Sequence, residues 1–230
     1  MYSRSFGALY SAVRLLVTNR RALLLIVTAY AGLLTALYLF VSTREATISQ
    51  LLLTLLSIAA APALFFVLQS ISVTYTSGGL IKRVAIDSAK IFIVSLPVIA
   101  VTVVAVFGLN KLQTHLTIAT TLRYLLVAVI APLVAIQLWI ASSTTGLRSL
   151  VKSLGRVIKN AFAPHSVVVY ACGFLIFAVA PFLLLRTSIT SERAWLEFSL
   201  LVVKLAASAT LVLVGWITTV GALSILSRAE

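Results

Sequence analysis

Lys204 is the one charge set well inside a long apolar run, seven residues past Glu197. An ammonium group is expensive in hydrocarbon, so a lysine at that depth marks an ion path, a counter-ion or a ligand site. The apolar run from Leu205 to Ile225 is itself long enough to cross a bilayer. That length also allows Lys204 to reach the outer interface along its own methylene stem. Gln69 and Gln137 are the other polar candidates inside apolar runs. Their amides suit hydrogen bonds between helices, or a polar site within the membrane. Lys204, Gln69 and Gln137 are therefore the candidate intramembrane polar residues.

The remaining reactive residue types point away from catalysis. Glu45, Asp87, Glu192, Glu197 and Glu230 all fall outside the predicted membrane cores. Paired carboxylates for hydrolysis, or a carboxylate proton relay, are not expected. Glu45 adjoins Arg44, Glu197 follows Arg193 by four, and Asp87 has Arg83 four back and Lys90 three ahead. These are the spacings of ordinary surface pairs on helices. His115 falls in a loop, His165 follows Pro164 at a membrane edge, and no span carries a histidine. Histidine-ligated haem or metal within the membrane is not expected. Cys172 is the one cysteine, so it forms neither a disulfide framework nor a chelate and reads as a packing residue. No Gly-x-Ser-x-Gly elbow or phosphate-binding glycine loop is present. Gly78-Gly79 and Gly146 read as junctions between elements. No catalytic residue, cofactor or metal is expected.

The elements that carry these residues must live in lipid. Hydrophobic residues make up 61% of the chain and charged residues 10%, with a mean hydropathy of +1.15. Soluble domains run near half apolar and about a quarter charged. The net charge of +13 sits between apolar runs, where it sets topology and attracts anionic headgroups; nucleic acid is not the expected partner.

The sequence predicts an all-α, polytopic membrane protein with spans at approximately Ala22–Val41, Leu51–Ser70, Ile91–Leu109, Leu122–Ala141, Val167–Leu185 and Glu197–Leu226. The last is too long for one upright crossing and must tilt or extend beyond the lipid. Ahead of the first span, Phe6, Leu9, Tyr10, Val13, Leu16 and Val17 recur at helical spacing and predict an interfacial helix. Arg20-Arg21 resembles an export signal and Ala29-Tyr30-Ala31 a cleavage site. The apolar run continues to Val41, which makes an uncleaved span the expectation. Pro62, Pro97, Pro132 and Pro181 are placed to kink four of the spans.

Arg4, Arg14, Arg20, Arg21, Lys82, Arg83, Lys90, Arg148, Lys152, Arg156, Lys159 and Arg228 fall on one side of this topology. Arg44, Lys111, Arg123, Arg186 and Arg193, with Lys204 if it is interfacial, fall on the other. That bias puts both termini in the cytoplasm of a bacterial inner membrane. Cationic, helix-prone stretches at Ser5–Asn19, Leu80–Lys90 and Leu147–Phe162 then precede successive pairs of spans. The chain reads as one transmembrane domain of three hairpins, each preceded by a cytoplasmic interfacial amphipathic helix, with units 1–72, 73–143 and 144–230. An offset of 70 aligns Pro62 with Pro132 and Lys82 with Lys152, consistent with an internal repeat. In the third stretch Leu147, Leu150, Val151, Leu154, Val157, Ile158 and Phe162 share one face. Arg148, Lys152, Arg156 and Lys159 share the other. With Lys82 and Arg83 they are the candidate contacts for anionic headgroups or a partner.

The layout resembles that of mitochondrial carriers, which also use three helical hairpins and surface helices. It departs from them where Pro97 is followed by Val98 and Ile99, since carriers place an acidic residue two positions after the proline. The layout is more similar to bacterial six-span domains, including those attached to some glycerophosphodiester phosphodiesterases. Absent chemistry and a cationic surface together imply a noncatalytic inner-membrane accessory, scaffold or assembly protein, binding anionic lipids and another membrane protein or complex. The alternative is a small transporter or permease subunit built from repeated hairpins. The topology is testable by labelling. Cysteines at Ser49 and Ser188 are expected to react with an impermeant thiol reagent in intact cells, and one at Ser149 is not. Labelling at Ser149 would overturn the orientation.

Overall fold

Asn19 divides the first helix from the first span: its side chain accepts from the Ala22 amide and so caps the second helix. In the computed structural model, residues 2–44, 47–77, 83–111, 116–144, 147–187 and 193–228 are described. They form α1 (Tyr2–Thr18), α2 (Arg20–Ser42), α3 (Ile48–Thr74), α4 (Val84–Lys111), α5 (Leu116–Leu125), α6 (Ala131–Thr144), α7 (Leu147–Ala161), α8 (Pro164–Phe174), α9 (Ala180–Arg186) and α10 (Ala194–Arg228). Among the described residues there is no strand. A Thr47–Gln50 capping box starts α3, and Pro164 opens α8, where its missing N–H costs nothing.

Six helical stretches are long and apolar enough to cross a membrane: Arg20–Ser42, Ile48–Thr74, Val84–Lys111, Thr117–Thr144, Pro164–Arg186 and Ala194–Arg228. This is a multi-pass membrane protein. Leu24, Val27, Tyr38, Val41, Val101, Val104, Phe107 and Phe198 are among many large apolar side chains on the outside of the bundle. That surface suits hydrocarbon and would not suit water.

The fourth and fifth spans each contain a five-residue π-helical segment, Leu126–Ile130 and Leu175–Val179, followed by Ala-Pro. Proline offers no N–H to the carbonyl four residues back and crowds it. A widened turn before Pro132 and Pro181 relieves that crowding. The carbonyl that Pro132 leaves open is that of Ala128, and the Tyr170 hydroxyl donates to it at 2.6 Å. Pro62 and Pro97 sit inside uninterrupted α-helices.

The best-packed region gathers α1, the end of α3 and the second half of α10. Burial pushes the Tyr75 hydroxyl above its ordinary pKa, so it stays protonated and donates. It lies 3.3 Å from the Ala12 carbonyl oxygen and 3.4 Å from that of Ile217. The Val73 carbonyl lies in the last turn of α3, where helix carbonyls run short of intrahelical donors. Ser224 and Arg228 of α10 both donate to it, at 3.2 and 3.3 Å. The arginine also places a positive charge at a helix C-terminus, where the peptide dipoles favour one.

One expectation needs correction. The stretch Leu80–Lys90 does not form a separate surface helix: from Val84 it is the first two turns of α4, because nothing between Lys90 and Ile91 interrupts a helix. Residues 80–82 lie outside the described residues. In α1, the side chains turned to the protein are Ser5, Ala8, Ala12 and Leu16, whereas Phe6, Tyr10, Val13 and Val17 stay exposed. Small residues let α1 lie close against α10 and α8, leaving the bulky stripe outward.

The last span is one helix of 35 residues, roughly 50 Å long at 1.5 Å per residue. Its first half is largely exposed and its second half, from Gly215, largely buried. Gly221 leaves no room for a side chain, since a Cβ there would run into the Tyr75 ring and hydroxyl. Gly221→Ala is expected to destabilise the protein in detergent by about 1–3 kcal/mol. Gly108→Ala, where a Cβ meets nothing, is expected to be neutral or stabilising. Equal effects of the two would contradict this packing.

Candidate functional site

A chamber of about 550 Å³ lies within the bundle, walled by α2, α3, α4, α6, α10 and the π segments. Ligand pockets commonly fall between about 300 and 1,000 Å³. Helical spacing puts Phe65, Phe66 and Gln69 of α3 on its wall, with Ser95, Val98 and Thr102 of α4 and Pro132, Ala135 and Trp139 of α6. Leu213 and Trp216 of α10 complete it. The lining is almost wholly apolar. Its rim includes Ile99, Val103 and Val127, all exposed on the outer surface of the bundle. The chamber therefore opens where lipid would be.

Aromatic rings meet edge to face along the wall. Trp139 and Trp216 lie 6.4 Å apart, Phe65 lies 6.4 Å from Trp139, and Phe177 lies 5.2 Å from Trp216. An indole N–H only donates, so each buried tryptophan needs an acceptor. Trp139 Nε1 donates to Ser95 Oγ at 2.8 Å, and that hydroxyl donates onward to the Ile91 carbonyl at 2.7 Å. This limb is closed. Trp216 Nε1 donates to Gln69 Oε1 at 2.8 Å. Because the indole must meet the amide oxygen, the Gln69 NH2 faces away from it. Gln69 is only 1% exposed, and among the described residues its Nε2 has no hydrogen-bond partner. This limb ends in an unused donor.

The hydroxyls nearby are not free to react. Ser57, Ser72, Ser95 and Thr102 donate to the carbonyl four residues back on their own helices. Among the described residues no three His, Cys, Asp or Glu side chains gather closely enough to hold a metal ion. Asp87 pairs with Lys90 at 3.1 Å, one of the two partners its spacing offered.

The structure separates the sequence-predicted candidates. Gln69 is in the chamber. Gln137, 3% exposed, lines a second, polar pocket of about 160 Å³ with Thr144, Ser153, Arg156, Asn160 and Arg228. On α6, Gln137, Ile140, Ala141 and Thr144 lie roughly opposite Pro132, Ala135 and Trp139 at 100° per residue, so the two pockets flank one helix. Arg156 thus joins Gln137, while Lys152 and Lys159 are exposed and line neither pocket. Arg83 is exposed at the head of α4. Lys82, and the side chain of Arg148, lie outside the described residues. Lys204 is half-buried and donates to the Thr187 carbonyl, which closes the end of α9. It is nine residues from Leu213, roughly 13 Å along α10, and takes no part in the chamber.

Ser95, Trp139 and Trp216 are site residues that the reading of motifs passes over. The sequence signals that each buried indole N–H must find an acceptor, but not that the acceptors are Ser95 and Gln69.

No protein-family model, curated protein or solved structure matches the chain. The likeness in layout to carriers and bacterial six-span domains therefore supports no assignment of residues.

Proposed function

We propose that this chain is a noncatalytic membrane protein, an accessory or assembly partner of another membrane component, that holds an apolar membrane-soluble molecule within its bundle. The observation carrying this reading is the chamber: nearly all its lining is hydrocarbon, and its rim is exposed on the surface that lipid would cover. A route for a hydrophilic solute needs polar groups along its length to replace water. Here Ser95 and Thr102 spend their donors on their own helices, and the Gln69 oxygen is taken by Trp216. Such a chamber favours holding over transport, and so favours the accessory reading over the permease.

The rest of the reading concerns placement. Both termini lie on the cytoplasmic side of a bacterial inner membrane, and the six spans act as three hairpins. α1 and α7 are the interfacial helices. On α7, Leu150 and Val157 are buried against Val94 and Leu138, while Leu154 and Ile158 stay exposed with Lys152, Arg156 and Lys159. That arrangement lets the cations meet anionic headgroups or an acidic partner as the apolar face beds into bundle and lipid. Purification at native abundance in a mild detergent tests the accessory role. The chain is expected in a defined complex with another membrane protein. Recovery alone, together with uptake of a hydrophilic solute by liposomes containing only this chain, would overturn it.

A further inference from the structure

We propose that the chamber's occupant is an acyl-ester membrane lipid, with its hydrocarbon chain in the chamber and its ester carbonyl accepting a hydrogen bond from Gln69 Nε2. The proposal rests on the reading of the chamber as a holder of apolar molecules, and adds what the occupant must carry.

Three observations converge on it. The first is the unused donor: Gln69 lines the chamber, its oxygen is committed to Trp216, and its NH2, covered by neighbouring atoms, has no partner among the described residues, so a carbonyl reaches it once the amide shifts toward the chamber. A buried N–H left unpaired in hydrocarbon is unfavourable. A pure hydrocarbon occupant would leave it so, and an occupant with an acceptor oxygen would not. The second is the lining. Apart from that amide and the hydroxyls of Tyr30, Ser95 and Thr102, the wall offers aromatic and aliphatic surface to a chain, and no charged side chain lines it to receive a headgroup.

The third is depth. α3 has 27 residues, roughly 40 Å at 1.5 Å per residue, against a hydrocarbon core of about 30 Å. Centred on that core, each end projects by roughly 5 Å. Gln69 lies five residues before Thr74, the last residue of α3, or roughly 7.5 Å from the helix end. Its backbone is thus within roughly 3 Å of the hydrocarbon boundary. Glycerolipid ester carbonyls occupy that level, at the junction of chain and headgroup. A lipid entering past the rim at Ile99 and Val103 would bring its carbonyl to the amide while its chain ran inward. Polar molecules are excluded by the walls, and a plain alkane has nothing to offer Gln69.

Diester and diether phosphatidylcholines with identical chains separate these elements, because the ether lipid keeps the chains and headgroup but has no carbonyl. The full-length protein, exchanged from detergent into each lipid, is examined by native mass spectrometry for retained lipid. One diester lipid is expected to be retained, with the diether held about tenfold more weakly. Val103→Trp, which narrows the exposed rim without touching the core, is expected to abolish retention of both. Gln69→Leu is expected to remove the preference between them while leaving a residual site for chains. Equal retention of diester and diether by the wild-type chain would overturn the role of Gln69 and leave the chamber reading standing. Retention of neither, or retention indifferent to Val103→Trp, would overturn the chamber reading itself. The wild-type comparison stands on its own should Gln69→Leu fail to fold.

Discussion

Hydrocarbon supplies no hydrogen bonds, so every polar group at membrane depth must be satisfied from within the protein. The details of this bundle follow from that constraint. Serine and threonine hydroxyls donate to the carbonyls four residues back. Pro132 takes away the donor that the Ala128 carbonyl would have had, and Tyr170 reaches across from another helix to replace it. At the end of α3 the Val73 carbonyl receives Ser224 and Arg228 from α10. Trp139 finds Ser95. Among the described residues three buried side-chain atoms lack a partner, Gln69 Nε2, Arg123 Nε and Ser208 Oγ, and of these residues only Gln69 lines the chamber.

The helix α6 organises what lies on either side. Trp139 and Ala135 face an apolar chamber open toward lipid, while Gln137 and Thr144 face a polar pocket shared with Arg156 and Arg228. A single helix can serve two chemically opposite spaces because its faces repeat every 3.6 residues. α7 covers the polar side and takes its anchorage from Leu150 and Val157 on Val94 and Leu138. Its cations therefore divide, with Arg156 turned to the pocket and Lys152 and Lys159 left to the surroundings. Gly221 and Gly173 are small where Tyr75 and Thr219 need room, so the close approach that brings α10 against its neighbours also fixes where Trp216 stands.

The spans were legible because an apolar run of twenty residues has few other fates. Each expected span lies within an observed helical stretch. The separate surface helix before α4 was misread, since charge and helix propensity near Lys90 do not show where a helix is interrupted. The inward face of α1 was hidden for a different reason. Ser5, Ala8 and Ala12 contribute little to apolar periodicity, and close packing between helices in lipid uses small residues rather than large ones. The π segments and the Trp216–Gln69 pair were also not legible, because they join residues whose proximity only the packed bundle defines.

The central claim is that the Gln69 amide is completed by a lipid carbonyl. A crystal structure of the full-length chain grown from a lipidic phase of diester lipid tests it most directly. The account predicts elongated non-protein density in the chamber, passing between Phe65 and Trp216, with an oxygen within about 3.2 Å of Gln69 Nε2. A chamber closed by its own side chains, with the Gln69 amide bonded to a protein group, would contradict it.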